Sequence, residues 1–175
     1  NYFNNYYFIP RNYKELQIAV NNWCKNREEA ILIYGHISYW NTIHIGFFDY
    51  LFYNKYYFND DISDWNTSNA ISMKYMFGHA TIFNQPINNW DMSFVNNLSN
   101  MFNCAKDFNQ PLNNWNTSNV KQMEFMFSNA YKFNQDLNSW NIISLNNLYH
   151  MFYHSENFNK ENINKWNLQH IEYRN

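Results

Sequence analysis

Residues 115–140 read WNTSNVKQMEFMFSNAYKFNQDLNSW, and the spacing inside this stretch sets the expectation for the whole chain. Val120, Met123, Met126, Phe127 and Ala130 follow one another at intervals of three, three, one and three, which predicts one apolar face of a helix. Thr117 and Ser118 stand just before that face, where hydroxyls can accept from the first free N–H groups of a helix. The preceding segment from Phe108 to Trp115 carries Asn, Gln and Pro111 and suits a short, bent strand. One unit is therefore expected to run strand, turn, helix, turn.

The unit recurs. Trp40, Trp65, Trp90, Trp115 and Trp140 are spaced by 25, and Trp166 follows after 26. Two phenylalanine series keep the same period: Phe52, Phe77, Phe102, Phe127 and Phe152, and Phe58, Phe83, Phe108, Phe133 and Phe158. Ile37, Ile62, Ile87, Leu112, Leu137 and Ile163 precede each tryptophan by three residues. An asparagine follows the second phenylalanine in every copy (Asn59, Asn84, Asn109, Asn134, Asn159), which predicts an amide ladder bonding backbone groups of successive coils. Pro86 and Pro111 share one place in the unit, fit for a strand start or a bulge, and Asp61 and Asp136 replace them elsewhere.

The first residues are different. Leu16, Ala19, Val20 and Trp23 share one helical face between Tyr13 and Cys24, and Glu28 to Ile33 suits a second short helix. The expectation is a helical N-terminal cap over residues 1–32, followed by five to six 25-residue repeats over residues 33–175. The expected fold class is an α/β repeat solenoid: a leucine-rich-repeat-like, right-handed coil with one short parallel strand ladder and helices stacked on the other side. The tryptophans Trp65, Trp90, Trp115 and Trp140 should then form a buried column, with Phe77, Phe102, Phe127, Phe152, Phe83, Phe108 and Phe133 filling the layers between coils.

The motif of a tryptophan, a Ser/Asn-Val-x-x-Met-x-x-Met-Phe run, Ala-x-x-Phe-Asn-Gln and then Ile or Leu resembles the bacterial surface protein A-like (BspA-like) leucine-rich repeats. The resemblance is to their 25-residue form, associated with mycoplasma lipoproteins and also found in protists and giant DNA viruses. The resemblance spans residues 33–171, and the leader from Lys14 to Thr42 looks like the segment that precedes such repeats in protist and viral members. It implies a solenoid used for adhesion or protein binding, without catalytic residues to carry over. Three departures stand out: Ile143 takes a capping serine's place, Ile33 stands where later units have Phe, and the sixth unit stops before its Met-Phe run.

Composition narrows the function classes. The 175 residues include 12 basic and 14 acidic side chains, with no basic block, so nucleic acid is not expected as a partner. Aromatic residues make up 22% of the chain while the mean hydropathy is only −0.68, so an aromatic core is coated by amides. No stretch has the apolar length of a membrane span. Cys24 and Cys104 give no disulfide framework, which points to a reducing compartment. The Asn, Ile, Tyr and Phe bias suggests an AT-rich genome, and with the leader it favours a protist or giant virus as source. An intracellular or virion location is expected, with cell-surface display as the alternative; because the chain opens on Asn, an upstream segment is expected to have preceded it.

Sites for chemistry are scarce. His150 and His154, four apart, could share a metal but lack a third ligand. Asp60, Asp61 and Asp64 lack the spacing and glycine of a calcium loop and read as a solvated turn. Asn66, Asn97 and Asn116 begin glycosylation sequons that matter only in a secreted chain. There is no Ser-His-Asp set, phosphate loop or Cys-x-x-Cys pair, so no enzyme, cofactor or metal is expected.

What remains is surface. On a helical wheel the residue ten after each tryptophan faces away from the core stripe: Tyr50, Tyr75, Asn100, Phe125 and His150. Aromatic residues there are candidates for a protein interface, and isolated surface aromatics are the plain alternative. The coil end around Phe152, Phe158, Trp166 and Tyr173 is a second candidate, since an uncovered coil exposes apolar surface. The expected function is a non-catalytic scaffold for protein–protein interaction or assembly, through a partner protein, self-association or neighbouring subunits. A structural component of a virus particle and a cell-surface adhesin are the alternatives.

Overall fold

A computed structural model of the chain describes residues 8–169. It begins with two helices, α1 (Tyr13–Lys25) and α2 (Arg27–Tyr34). Asn12 caps α1 by accepting from Glu15 N–H at 3.0 Å, and Asn26 both ends α1 and caps α2. Gly35, at φ 71°, terminates α2 in a conformation that glycine adopts without strain. The apolar face of α1, with Leu16, Ala19, Val20 and Trp23, is buried, and Tyr13 Oη donates to the carbonyl of Asp49 in the first unit at 2.6 Å.

The expected α/β solenoid, a leucine-rich-repeat-like right-handed coil with a strand ladder and stacked helices, is not what the chain forms. Among the described residues the backbone after Gly35 is mostly turn and loop, with only two short 3-10 pieces, Ile37–Tyr39 and Lys160–Ile163. No strand is present among them; successive units meet in isolated parallel bridges, Phe47 to Ser72 to Asn97 to Gln122 to Asn147.

Backbone hydrogen bonding explains why the helical spacing misleads. The N–H groups of Phe48, Tyr50, Phe52 and Asn54 donate to the carbonyls of Ser72, Lys74, Met76 and Gly78 in the next unit, each at 2.9 Å. The alternate N–H groups of Leu51, Tyr53 and Lys55 close turns onto Phe48, Tyr50 and Phe52. The following units repeat this scheme, for example Phe102 N–H to Met126 O and Phe127 N–H to Met151 O, both at 2.9 Å. A helix would spend all these donors inside one unit and leave nothing to join the coils. Overlapping four-residue turns instead bring Phe48, Leu51 and Phe52 inward at spacings of three and one, which imitates a helical stripe.

The turns also require left-handed backbone. Tyr50, Tyr75, Asn100, Phe125 and His150 have φ between 51° and 60°, and so do Asn54, His79, Cys104, Asn129 and His154 four residues later. No helix continues through such residues. The hydroxyls at the unit start therefore cap no helix: Ser118 Oγ donates to Asn116 Oδ1 at 2.7 Å, and Thr117 Oγ1 donates to Asn141 O in the next unit at 2.9 Å.

The core is a set of columns running from unit to unit. Phe52, Phe77, Phe102, Phe127 and Phe152 stack near-parallel with centroids 5.5 to 5.7 Å apart. The second column, Phe58 to Phe158, repeats at 5.9 to 6.0 Å. Within a unit the two rings lie closer still, as in Phe102 and Phe108 at 3.9 Å. Each fully buried ring contributes about 1.5–3 kcal/mol of transfer free energy. Trp65, Trp90, Trp115 and Trp140 are all buried, and Trp115 stacks on Trp140 at 6.0 Å. The asparagine ladder is present: Asn84, Asn109, Asn134 and Asn159 each donate their N–H to the Oδ1 of the asparagine one unit before, at 2.8 to 2.9 Å.

Candidate functional site

The left-handed turn positions build the most distinctive surface of the molecule. At the start of the stack Tyr50 lies flat on Tyr75, with centroids 4.9 Å apart and planes at 13°. Tyr53 meets both edge-on, at 5.5 and 5.6 Å, and reaches His79 at 5.6 Å. Gly78 makes this packing possible, because a Cβ there would stand 2.9 Å from the Tyr75 ring and 3.0 Å from the Tyr53 ring. Burial and the neighbouring Tyr50 and Tyr53 hydroxyls push the Tyr75 phenol above its ordinary range, so it remains a neutral donor.

In the third unit the ridge turns polar. Asn100 is buried and accepts from Asn103 Nδ2 at 2.8 Å. Beyond it a second aromatic cluster begins, where Phe125 touches Tyr149 at 5.4 Å and His150 at 5.3 Å. His150 in turn packs on Tyr149 and Tyr153, and Tyr153 on His154. Two buried polar atoms in this neighbourhood, Glu124 Oε2 and His150 Nδ1, have no hydrogen-bond partner.

The interface candidates read from the sequence divide into three groups. Tyr50, Tyr75, Phe125 and His150 are brought onto one ridge, but they do not project freely as a helical wheel implied; only Tyr50 is exposed, and the others are half-buried against their neighbours. Phe158 and Trp166 lie at the last of the described units, where Phe158 and Phe152 are half-buried and Trp166 is 9% exposed. Tyr173 lies outside the described residues. Sequence reasoning missed Tyr53, His79, Tyr149 and Tyr153, all adjacent to the ridge. The recurrence of Tyr thirteen residues after Trp40 and Trp140 was the available signal.

The other candidates serve the fold. Among the described residues no group of three or more His, Cys, Asp or Glu side chains could hold a metal ion. Asp60 accepts from the Trp23 indole at 2.9 Å and from Arg27 at 2.7 Å, and Asp61 accepts from Ser63 N–H. That hydrogen bonding holds the Asp61 carboxyl below its ordinary range. Asn66 folds back onto Ser68, at 3.0 Å to its N–H and 2.7 Å to its hydroxyl. Both cysteines are free thiols. Among the described residues no helix is long and apolar enough to cross a membrane.

Comparison with known proteins is consistent with a repeat. Curated proteins and solved structures offer no match to the chain. One family profile matches twice, over residues 18–114 and 85–175, so that overlapping copies take in part of α1, all of α2 and the units. The chain belongs to the family described as Mycoplasma protein of unknown function, DUF285.

Proposed function

We propose that the protein is a non-catalytic scaffold that binds a partner protein through the aromatic ridge of its turns. The observation that supports this most is the backbone under the rings. A left-handed conformation costs an L-residue roughly 1–2 kcal/mol, less for Asn, and strain of this kind marks functional positions more often than neutral ones. Asn100 shows that the unit accepts asparagine at this place, yet Tyr50, Tyr75, Phe125 and His150 occupy it elsewhere. Rings at a strained position, half-exposed and with unpaired polar atoms beside them, suit a protein interface rich in Tyr and His contacts. The resemblance to BspA-like repeats, a group used for adhesion and protein binding, supports the same reading.

The test is site-specific photo-crosslinking in the native host. A benzophenone amino acid at Tyr75 or Phe125 should capture one discrete protein, whereas the same group at exposed Asn113 should not. Equal capture at all three positions, or none at the ridge, would rule this reading out.

A further inference from the structure

We infer that the cavity between the helical segment and the first unit binds a small ligand in which a planar ring carries a phosphate monoester. The cavity has a volume of about 490 Å³, within the range of small-molecule sites. Trp23, Lys25 and Arg27 line it from the helices, and Lys55, Tyr57 and Asp60 from the first unit.

These residues are where the first unit departs from the others. Lys55 stands fifteen residues after its tryptophan, a place held by the buried alanines Ala80, Ala105 and Ala130 in the next three units. Asp60 takes the place of Gln85, Gln110 and Gln135, whose amides donate to the Asn59, Asn84 and Asn109 carbonyls at 2.9 to 3.0 Å. The repeat itself asks for neither change.

Charge follows from the geometry. Asp60 Oδ2 is already taken by the Trp23 indole at 2.9 Å and by Arg27 at 2.7 Å, and Arg27 also lies over the Trp23 ring at 5.2 Å. Its negative charge is thereby balanced by Arg27. Lys25 and Lys55 enter no ion pair among the described residues, so two uncompensated cations face one cavity in a chain of net charge −2. A doubly charged phosphate matches two ammonium groups, and Tyr57, 87% exposed at the rim, offers a face on which a ring can stack. Other units carrying a cation near this arc spend it differently: Lys132 pairs with Asp107 at 2.7 Å, and Lys106 sits over Tyr131.

The experiment is NMR titration of the intact chain, reading the Trp23 indole N–H, which resolves this site from the other tryptophans. The probes are phenyl phosphate, adenosine 5′-monophosphate, inorganic phosphate and phenol. Phenyl phosphate and the nucleotide should shift the resonance saturably, with inorganic phosphate about tenfold weaker and phenol weaker still. Lys55→Ala, which installs the residue three other units carry, and Lys25→Gln should each weaken phenyl phosphate about tenfold. No saturable shift with either ringed probe, a shift unaffected by both substitutions, or inorganic phosphate binding as tightly as phenyl phosphate would overturn the proposal.

Discussion

The indole N–H of Trp115 donates to the carbonyl oxygen of Ile87, one unit earlier, at 3.0 Å. The same bond joins Trp65 to Ile37, Trp90 to Ile62, Trp140 to Leu112 and Trp166 to Leu137, so each tryptophan is a polar rivet as well as an apolar filler. Trp115→Phe keeps a ring but removes the donor. It should cost about 1–3 kcal/mol in urea melts, with no change in the fold as seen by circular dichroism.

The phenylalanine columns should be sensitive to position. Phe102 has ring neighbours on both sides and is fully buried, so Phe102→Ala should cost about 3–5 kcal/mol. Phe152 is half-buried and, among the described residues, has a column neighbour on one side only, so Phe152→Ala should cost about 1–2 kcal/mol. Equal costs in denaturant melts would show that Phe152 is covered on its second side as well.

The left-handed positions should behave in the opposite sense. Phe125→Asn relieves backbone strain while removing half-exposed ring contacts, so stability should stay level or rise by up to about 1 kcal/mol. The reverse change, Asn100→Tyr, should destabilise by about 1–2 kcal/mol, because it adds strain and loses the bond from Asn103. The pair of melts separates a strained ridge from an ordinary exposed turn.

Stability should fall in alkali. Burial raises the phenol of Tyr13 above its ordinary 10.0, with the Asp49 carboxylate adding to the rise, and burial and neighbouring phenols raise Tyr75. The unfolded chain loses these protons near pH 10 and the folded chain only at higher pH. Their contribution is therefore complete below pH 10 and is lost as pH rises through the folded values. Urea midpoints should drop above pH 10, and Tyr13→Phe should flatten that drop, since the phenol that donates to Asp49 O is then gone.

The period of the repeat, the buried columns and the asparagine ladder were legible because each repeats in every unit and burial imposes one residue type. The first helix was legible from the face of Leu16, Ala19, Val20 and Trp23, and the second from the run Glu28 to Ile33, which lies within α2. The run from Val120 to Ala130 was not. Its three-residue spacing belongs equally to a helix and to consecutive turns, and the deciding bonds, such as Phe125 N–H to Tyr149 O, join residues 24 apart. The signal against a helix lay in the left-handed places, where Asn100, Asn54 and Asn129 hint at positive φ while Tyr, Phe and His obscure it. The ridge was half legible for the same reason: the tenth residue was singled out, but Tyr53 and Tyr149 come beside it only through the turns.

The ridge and the columns both depend on where one amide proton goes. Scalar coupling across hydrogen bonds, measured on labelled protein, reports the acceptor of the Phe102 N–H directly. The coupling should connect the Phe102 nitrogen to the carbonyl carbon of Met126, the partner found at 2.9 Å in the next unit. A coupling to the carbonyl of Leu98, four residues earlier as in a helix, would contradict the account.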